Sequence, residues 1–224
     1  MDPAFVCAGD LFREDSDGEE SADAGFVERE HSFPEMTLKV REFMFHQVNA
    51  NLLWPGSTIF AQWLVEHREL VKGSRVLELG SGTGALAIFL KKSLAVDITT
   101  CDYDDEEIEA NIAHNCKLNG MAPIPHIRHT WGERFPADAP AWDLVIASDI
   151  LLYVKQYPNL VKTLKFLLAS DRDSRKLPLS RKPCFVMSWR RRIPKEDEAL
   201  FFADCGNAGF QVEDLGSRVY RITA

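Results

Sequence analysis

From residue 75 onward the chain switches between short, nearly continuous apolar runs and longer stretches whose apolar residues recur three and four apart. Short apolar runs bounded by Gly, Pro or acids read as strands buried on both faces, and the 3.6-residue period reads as helices with one buried face. Strands are expected at 75–79, 96–101, 126–130, 142–147 and 184–189, closed by 210–215 and 219–222 as a hairpin. The helices between them carry Leu86, Ala87, Phe89 and Leu90, then span 105–119, 157–169 and 196–207. Such alternation specifies an α/β fold, a Rossmann-like doubly wound sheet of seven strands, mostly parallel with a C-terminal antiparallel hairpin.

Upstream, residues 38–47 alternate through Phe43 and Phe45 and suggest a short strand or hairpin. Leu53-Trp54-Pro55-Gly56 is a turn, after which Ser57 is expected to cap a helix running through Ile59, Phe60, Trp63, Leu64 and His67. Residues 170–183 read as an exposed excursion. The acidity is confined to one end: residues 10–30 hold nine acids and two arginines, whereas acids and bases balance from His31 onward, within a net charge of −8. Residues 1–33 are therefore expected as a disordered acidic tail and 34–224 as one folded domain. A near-neutral domain argues against nucleic acid, and Arg190-Arg191-Arg192 is too short a basic run to reverse that. No apolar run has the length of a membrane span, the acidic start is unlike a leader, and five scattered cysteines suit reduced thiols. A cytoplasmic protein is expected, with the nucleus open to it, acting as a monomer and without a metal site.

The stretch Val76-Leu77-Glu78-Leu79-Gly80-Ser81-Gly82-Thr83-Gly84 carries the chemistry. A strand that ends in an acid and enters a glycine turn before a helix lets backbone approach a ligand beside free N–H groups. A nucleotide-like cofactor follows, but Gly80-x-Gly82-x-x-Ala85 also fits the loose dinucleotide pattern. Ligands of open α/β sheets sit beyond the carboxyl ends of strands, where Glu78, Asp102 and Asp149 fall here. About 70 residues precede the glycine strand, and the sheet closes on a hairpin; both features resemble S-adenosylmethionine-dependent methyltransferases.

The resemblance narrows through Leu53-Trp54-Pro55, Phe60-Ala61-Gln62-Trp63-Leu64, the glycine stretch, Asp102-Tyr103, Asn111, Asn115, Asn119, Thr130-Trp131-Gly132 and the run from Asp143 to Asp149. In this order they look like the methyltransferase family 16 group, whose members mostly methylate lysines of specific proteins, translation factors and chaperones among them. The resemblance implies S-adenosyl-L-methionine as cofactor, held by Trp54, Glu78, Gly80, Gly82, Asp102, Trp131 and Ala147. It implies Asp149 and Tyr153 as catalytic, Asp149 holding the amine and Tyr153 adding cation–π attraction. The family places an aromatic three residues after that acid; here Leu152 takes the position and Tyr153 follows. A protein substrate is the implied partner. Methylation of arginine, histidine or a small amine is the alternative, and a catalytically silent cofactor-binding module or an NAD(P)-dependent oxidoreductase are those of other classes.

Overall fold

The computed structural model describes residues 25–137, 142–169 and 182–224. Seven strands form one sheet, β3 (Arg75–Leu79), β4 (Asp97–Asp102), β5 (His126–Arg128), β6 (Leu144–Ser148), β7 (Cys184–Ser188), β8 (Gln211–Asp214) and β9 (Val219–Thr223), in the order β5-β4-β3-β6-β7-β9-β8. Pairing is parallel from β5 to β7, and β9 is antiparallel to both β7 and β8. The expected fold is the observed one.

Parity along the strands divides the core. Val76, Ile98, Leu144, Ile146 and Val186 join one apolar cluster with helices α1 (Pro55–Glu66), α2 (Ala85–Leu94) and α3 (Glu106–Leu118). Leu77, Leu79, Val145, Ala147 and Phe185 join the other with α4 (Tyr157–Leu167) and α5 (Lys195–Asn207). The chain winds outward from β3 to β5 and then crosses back to β6, so strand order reverses between β3 and β6, and a crevice opens at their carboxyl ends.

Two expectations change at the N-terminal side. Phe26–Phe33, assigned to the tail from its polarity, is strand β1, paired antiparallel in full register with β2 (Met36–Phe43) as a separate two-stranded sheet. Most of β1 is exposed on both faces, which is why its sequence lacks an apolar stripe. It is held by cross-strand bonds and by buried Glu42, which accepts from Arg29 and Leu53 N–H and contacts His31. Residues 1–24 of the expected tail, and residues 170–181 of the expected excursion, lie outside the described residues. Ser57 does not cap α1: the helix begins at Pro55, and the Ser57 hydroxyl instead meets that of Ser148 at 2.8 Å. Proline at the first helical position has no N–H to satisfy and a suitable φ.

The free edge of β2 is covered by carboxamides. Asn111 and Asn115 on α3 and Asn119 at its C-cap stand four residues apart, and their side chains take the place of a third strand. Asn115 Oδ1 accepts from Arg41 N–H at 2.7 Å, and Asn111 and Asn115 Nδ2 donate to Arg41 C=O. Asn119 does the same for Lys39, at 3.1 and 2.7 Å. Asn115 also donates to Thr83 C=O in the glycine loop at 2.9 Å. No helix among the described residues is long and apolar enough to cross a membrane.

Candidate active site

A cavity of about 360 Å³ opens at the reversal point, lined among others by Trp54, Gly80, Gly82, Asp102, Trp131, Asp149 and Tyr153. Seven of the nine residues singled out from the sequence therefore share one space. The other two, Glu78 and Ala147, lie in the strands beneath it, Ala147 paired in register with Leu79.

At the β3 end the wall is mostly backbone. Gly80 has φ +67°, and a Cβ there would lie 2.6 Å from Ile150 Cγ2, so both conformation and space demand glycine. At Gly82, φ +52°, a Cβ would meet nothing within 4 Å, which leaves that side of the loop open. Gly82 N–H donates to Asp102 Oδ2 at 2.6 Å and Tyr103 N–H to Asp102 Oδ1 at 2.7 Å, so strand β4 and the loop are tied through one carboxylate. Burial raises the Asp102 pKa, and these two amides draw it back. Each Asp102 oxygen keeps a further acceptor position for a hydroxyl.

Glu78 is 1 % exposed, and its Oε2 has no hydrogen-bond partner among the described residues. Burial pushes its carboxyl up to about 8. An orphaned acceptor below an open glycine turn suits a ligand that brings a donor or a positive charge, since an unpaired buried polar group is costly. These features fit the amino-acid and ribose parts of S-adenosylmethionine.

The β6 end is built from side chains far apart in sequence. Asp149 is 4 % exposed and has φ +55°, a conformation few non-glycine residues adopt. Its Oδ2 accepts from Gly56 N–H at 2.8 Å and from Arg192 Nη2 at 2.8 Å, and its Oδ1 from Arg190 N–H at 2.9 Å. The carboxylate thereby serves the Gly56 amide at the start of α1, which has no side-chain cap from its own N-cap residue. Gly56 is required for that approach, because a Cβ there would stand 2.3 Å from Oδ2. The Arg192 guanidinium lies 4.7 Å over the Trp54 ring. Asp149 thus lines the cavity with its carboxylate already engaged.

Tyr153 reaches the cavity despite its offset, at the head of a single 3₁₀ turn, Val154–Gln156, and is 37 % exposed. Its hydroxyl accepts from Asn49 Nδ2 at 2.7 Å, and Trp54 Nε1 donates to Asn49 C=O at 3.0 Å. Asn49, with Val48 and Ala50, forms part of the cavity lining ahead of α1. Sequence reasoning gave no role in the site to Asn49, Gly56, His129 or Arg192. His129 is buried in the lining and hydrogen-bonded with Thr163 Oγ1, and that hydroxyl accepts from Gly132 N–H beside Trp131. His46, Asp105 and Glu107 converge nearby, but Asp105 already caps α3 and pairs with His46.

Residues 32–206 match the family model described as lysine methyltransferase. Among curated proteins, the histone-arginine methyltransferase METTL23 of Xenopus laevis is 31 % identical over 118 residues, 52 % of this chain and 50 % of that protein. The protein N-terminal and lysine N-methyltransferase efm7 of Schizosaccharomyces pombe is 24 % identical over 80 % of this chain and 71 % of its own. The match thus spans about half of the first relative and most of the second. Among solved structures, the 16S rRNA N2 G1207 methyltransferase RsmC of T. thermophilus, in complex with AdoMet and guanosine, superposes with a TM-score of 0.59. At 14 % identity, over 91 % of this chain and 51 % of that one, it speaks for the fold alone.

Proposed function

Because the chain belongs to the lysine methyltransferase family, whose members depend on S-adenosylmethionine, we propose that it methylates the side-chain amine of a lysine in a protein substrate. The observation that carries this reading is the single cavity in which the Gly80–Gly82 turn and Asp102 face Trp54 and a half-exposed Tyr153. In it, Gly80 and Gly82 admit the methionine part of the cofactor close to backbone, Glu78 orients its polar end, Asp102 binds the ribose, and Trp131 packs beside the adenine. Ala147 forms the floor and Trp54 the wall toward the acceptor.

Bound S-adenosylmethionine supplies a methyl on a positively charged sulfur, open to in-line displacement. The protein then has to align a neutral amine with that methyl, which is an effect of orientation. Tyr153, at the rim, meets the acceptor; its ring attracts the cation that develops on nitrogen by about 0.5–2 kcal/mol. Asn49 donates to its oxygen and fixes the ring. Asp149 is assigned to the wall, where its bonds hold the start of α1 and the Arg192 guanidinium that lies over Trp54, in place of direct contact with the amine.

The named activity of the Xenopus relative favours a second reading, a guanidinium acceptor in a protein. The substrate classes implied by the resemblance, translation factors and chaperones, belong to the first reading, as do a single acting copy and a cytosolic or nuclear setting. Incubation with methyl-labelled S-adenosylmethionine and a cell lysate tests the class of acceptor. Label in the protein fraction is expected, and label confined to small molecules would overturn it.

A further inference from the structure

Arg192 is the side chain whose contacts the proposed chemistry leaves unused. Its guanidinium touches two lining residues at once, Asp149 Oδ2 at 2.8 Å and the face of Trp54 at 4.7 Å, while it is absent from the lining itself. It stands behind the wall. The Asp149 side chain is wholly enclosed, and the other groups on its carboxylate are the backbone amides of Gly56 and Arg190. Arg192 therefore brings the only side-chain charge paired with Asp149 among the described residues, so an enclosed carboxylate is balanced by one arginine. Arg191, its neighbour, is committed elsewhere, to Glu198 together with Arg218.

We propose that Arg192 is a positioning residue for methyl transfer: by neutralising Asp149 and stacking on Trp54, it sets the wall that the cofactor and the acceptor share. This rests on the methyltransferase reading and deepens it. The pair has a property that a catalytic carboxylate lacks. With Arg192 removed, the charge on Asp149 is left enclosed and unbalanced, which is worse than having no charge there at all. The planar guanidinium also fits carboxylate and ring together in a way a lysine ammonium does not.

The test measures S-adenosylmethionine binding by calorimetry, together with the thermal midpoint, for Arg192→Ala, Asp149→Asn and the double variant. Arg192→Ala is expected to weaken cofactor binding by about tenfold, and the double variant to bind more tightly than Arg192→Ala alone, since coupled partners are not additive. Millimolar guanidinium chloride is expected to raise both affinity and midpoint of Arg192→Ala, whereas sodium chloride at equal ionic strength does neither. Two additive single losses would overturn the proposal, and so would guanidinium acting no better than sodium. Neither readout uses an acceptor, so an error in the lysine assignment leaves this test standing. A null result here leaves the lysine assignment standing in turn.

Discussion

Around Gly80 and Gly82 the cavity wall is backbone, and the groups that shape it come from two adjacent strands and the loop between β3 and α2. Around Asp149 the wall is made of side chains and amides drawn from positions 93, 41 and 43 residues away along the chain, with the Asn49–Tyr153 bond spanning 104. The contrast teaches a division of labour. A cofactor of fixed shape suits a rigid turn set by local geometry, whereas the protein-borne acceptor proposed above would meet a surface assembled from several loops. Loops can vary without disturbing the sheet.

The largest effect expected is at the rigid end. Gly80→Ala forces a side chain into a left-handed φ and onto Ile150, and should abolish measurable S-adenosylmethionine binding while costing more than about 1 kcal/mol of stability. Gly56→Ala makes the corresponding break at the other end. A Cβ 2.3 Å from Asp149 Oδ2 should cost about 1–3 kcal/mol in thermal unfolding by overpacking and should free the start of α1.

Next comes Asn115→Ala, which strips Arg41 and Thr83 of a shared partner and should cost about 1–3 kcal/mol, with hydrogen exchange rising first in β2. Glu78 gives a pH signature. The native carboxyl keeps its proton up to about 8, whereas the unfolded one releases it near 4.5. The native state thus binds the extra proton between those values, so stability without cofactor falls as pH rises through that window. Glu78→Gln should flatten that decline in a series of thermal midpoints. The smallest change, Tyr153→Phe, should leave cofactor affinity within about twofold and lower the transfer rate by about tenfold, as loss of a hydrogen bond to a positioned ring would.

The same contrast explains what was legible in the sequence. Strands β3, β6 and β7 announce themselves as short apolar runs, and Gly80, Gly82 and Asp102 are neighbours in the fold because they lie at the ends of adjacent strands. Asp149 and Tyr153 were visible as residues, but the partners that decide their roles were not. Nothing near residue 149 in the sequence points to Gly56 or Arg192, since a cap supplied from 93 residues away leaves no local pattern. Strand β1 escaped for a related reason: a ribbon exposed on both faces needs no apolar alternation. The asparagines at 111, 115 and 119 did carry a signal, a helical repeat of one polar residue type, whose meaning appears only with the edge of β2 beside it.

The most direct measurement is residue-resolved mass spectrometry of lysate proteins after incubation with the full chain and methyl-labelled S-adenosylmethionine, beside Asp102→Asn as control. A lysine acceptor predicts labelled Nε-methyl-lysine in protein, strongly reduced with Asp102→Asn. Label found on arginine or histidine, or an equal yield from the control, would contradict it.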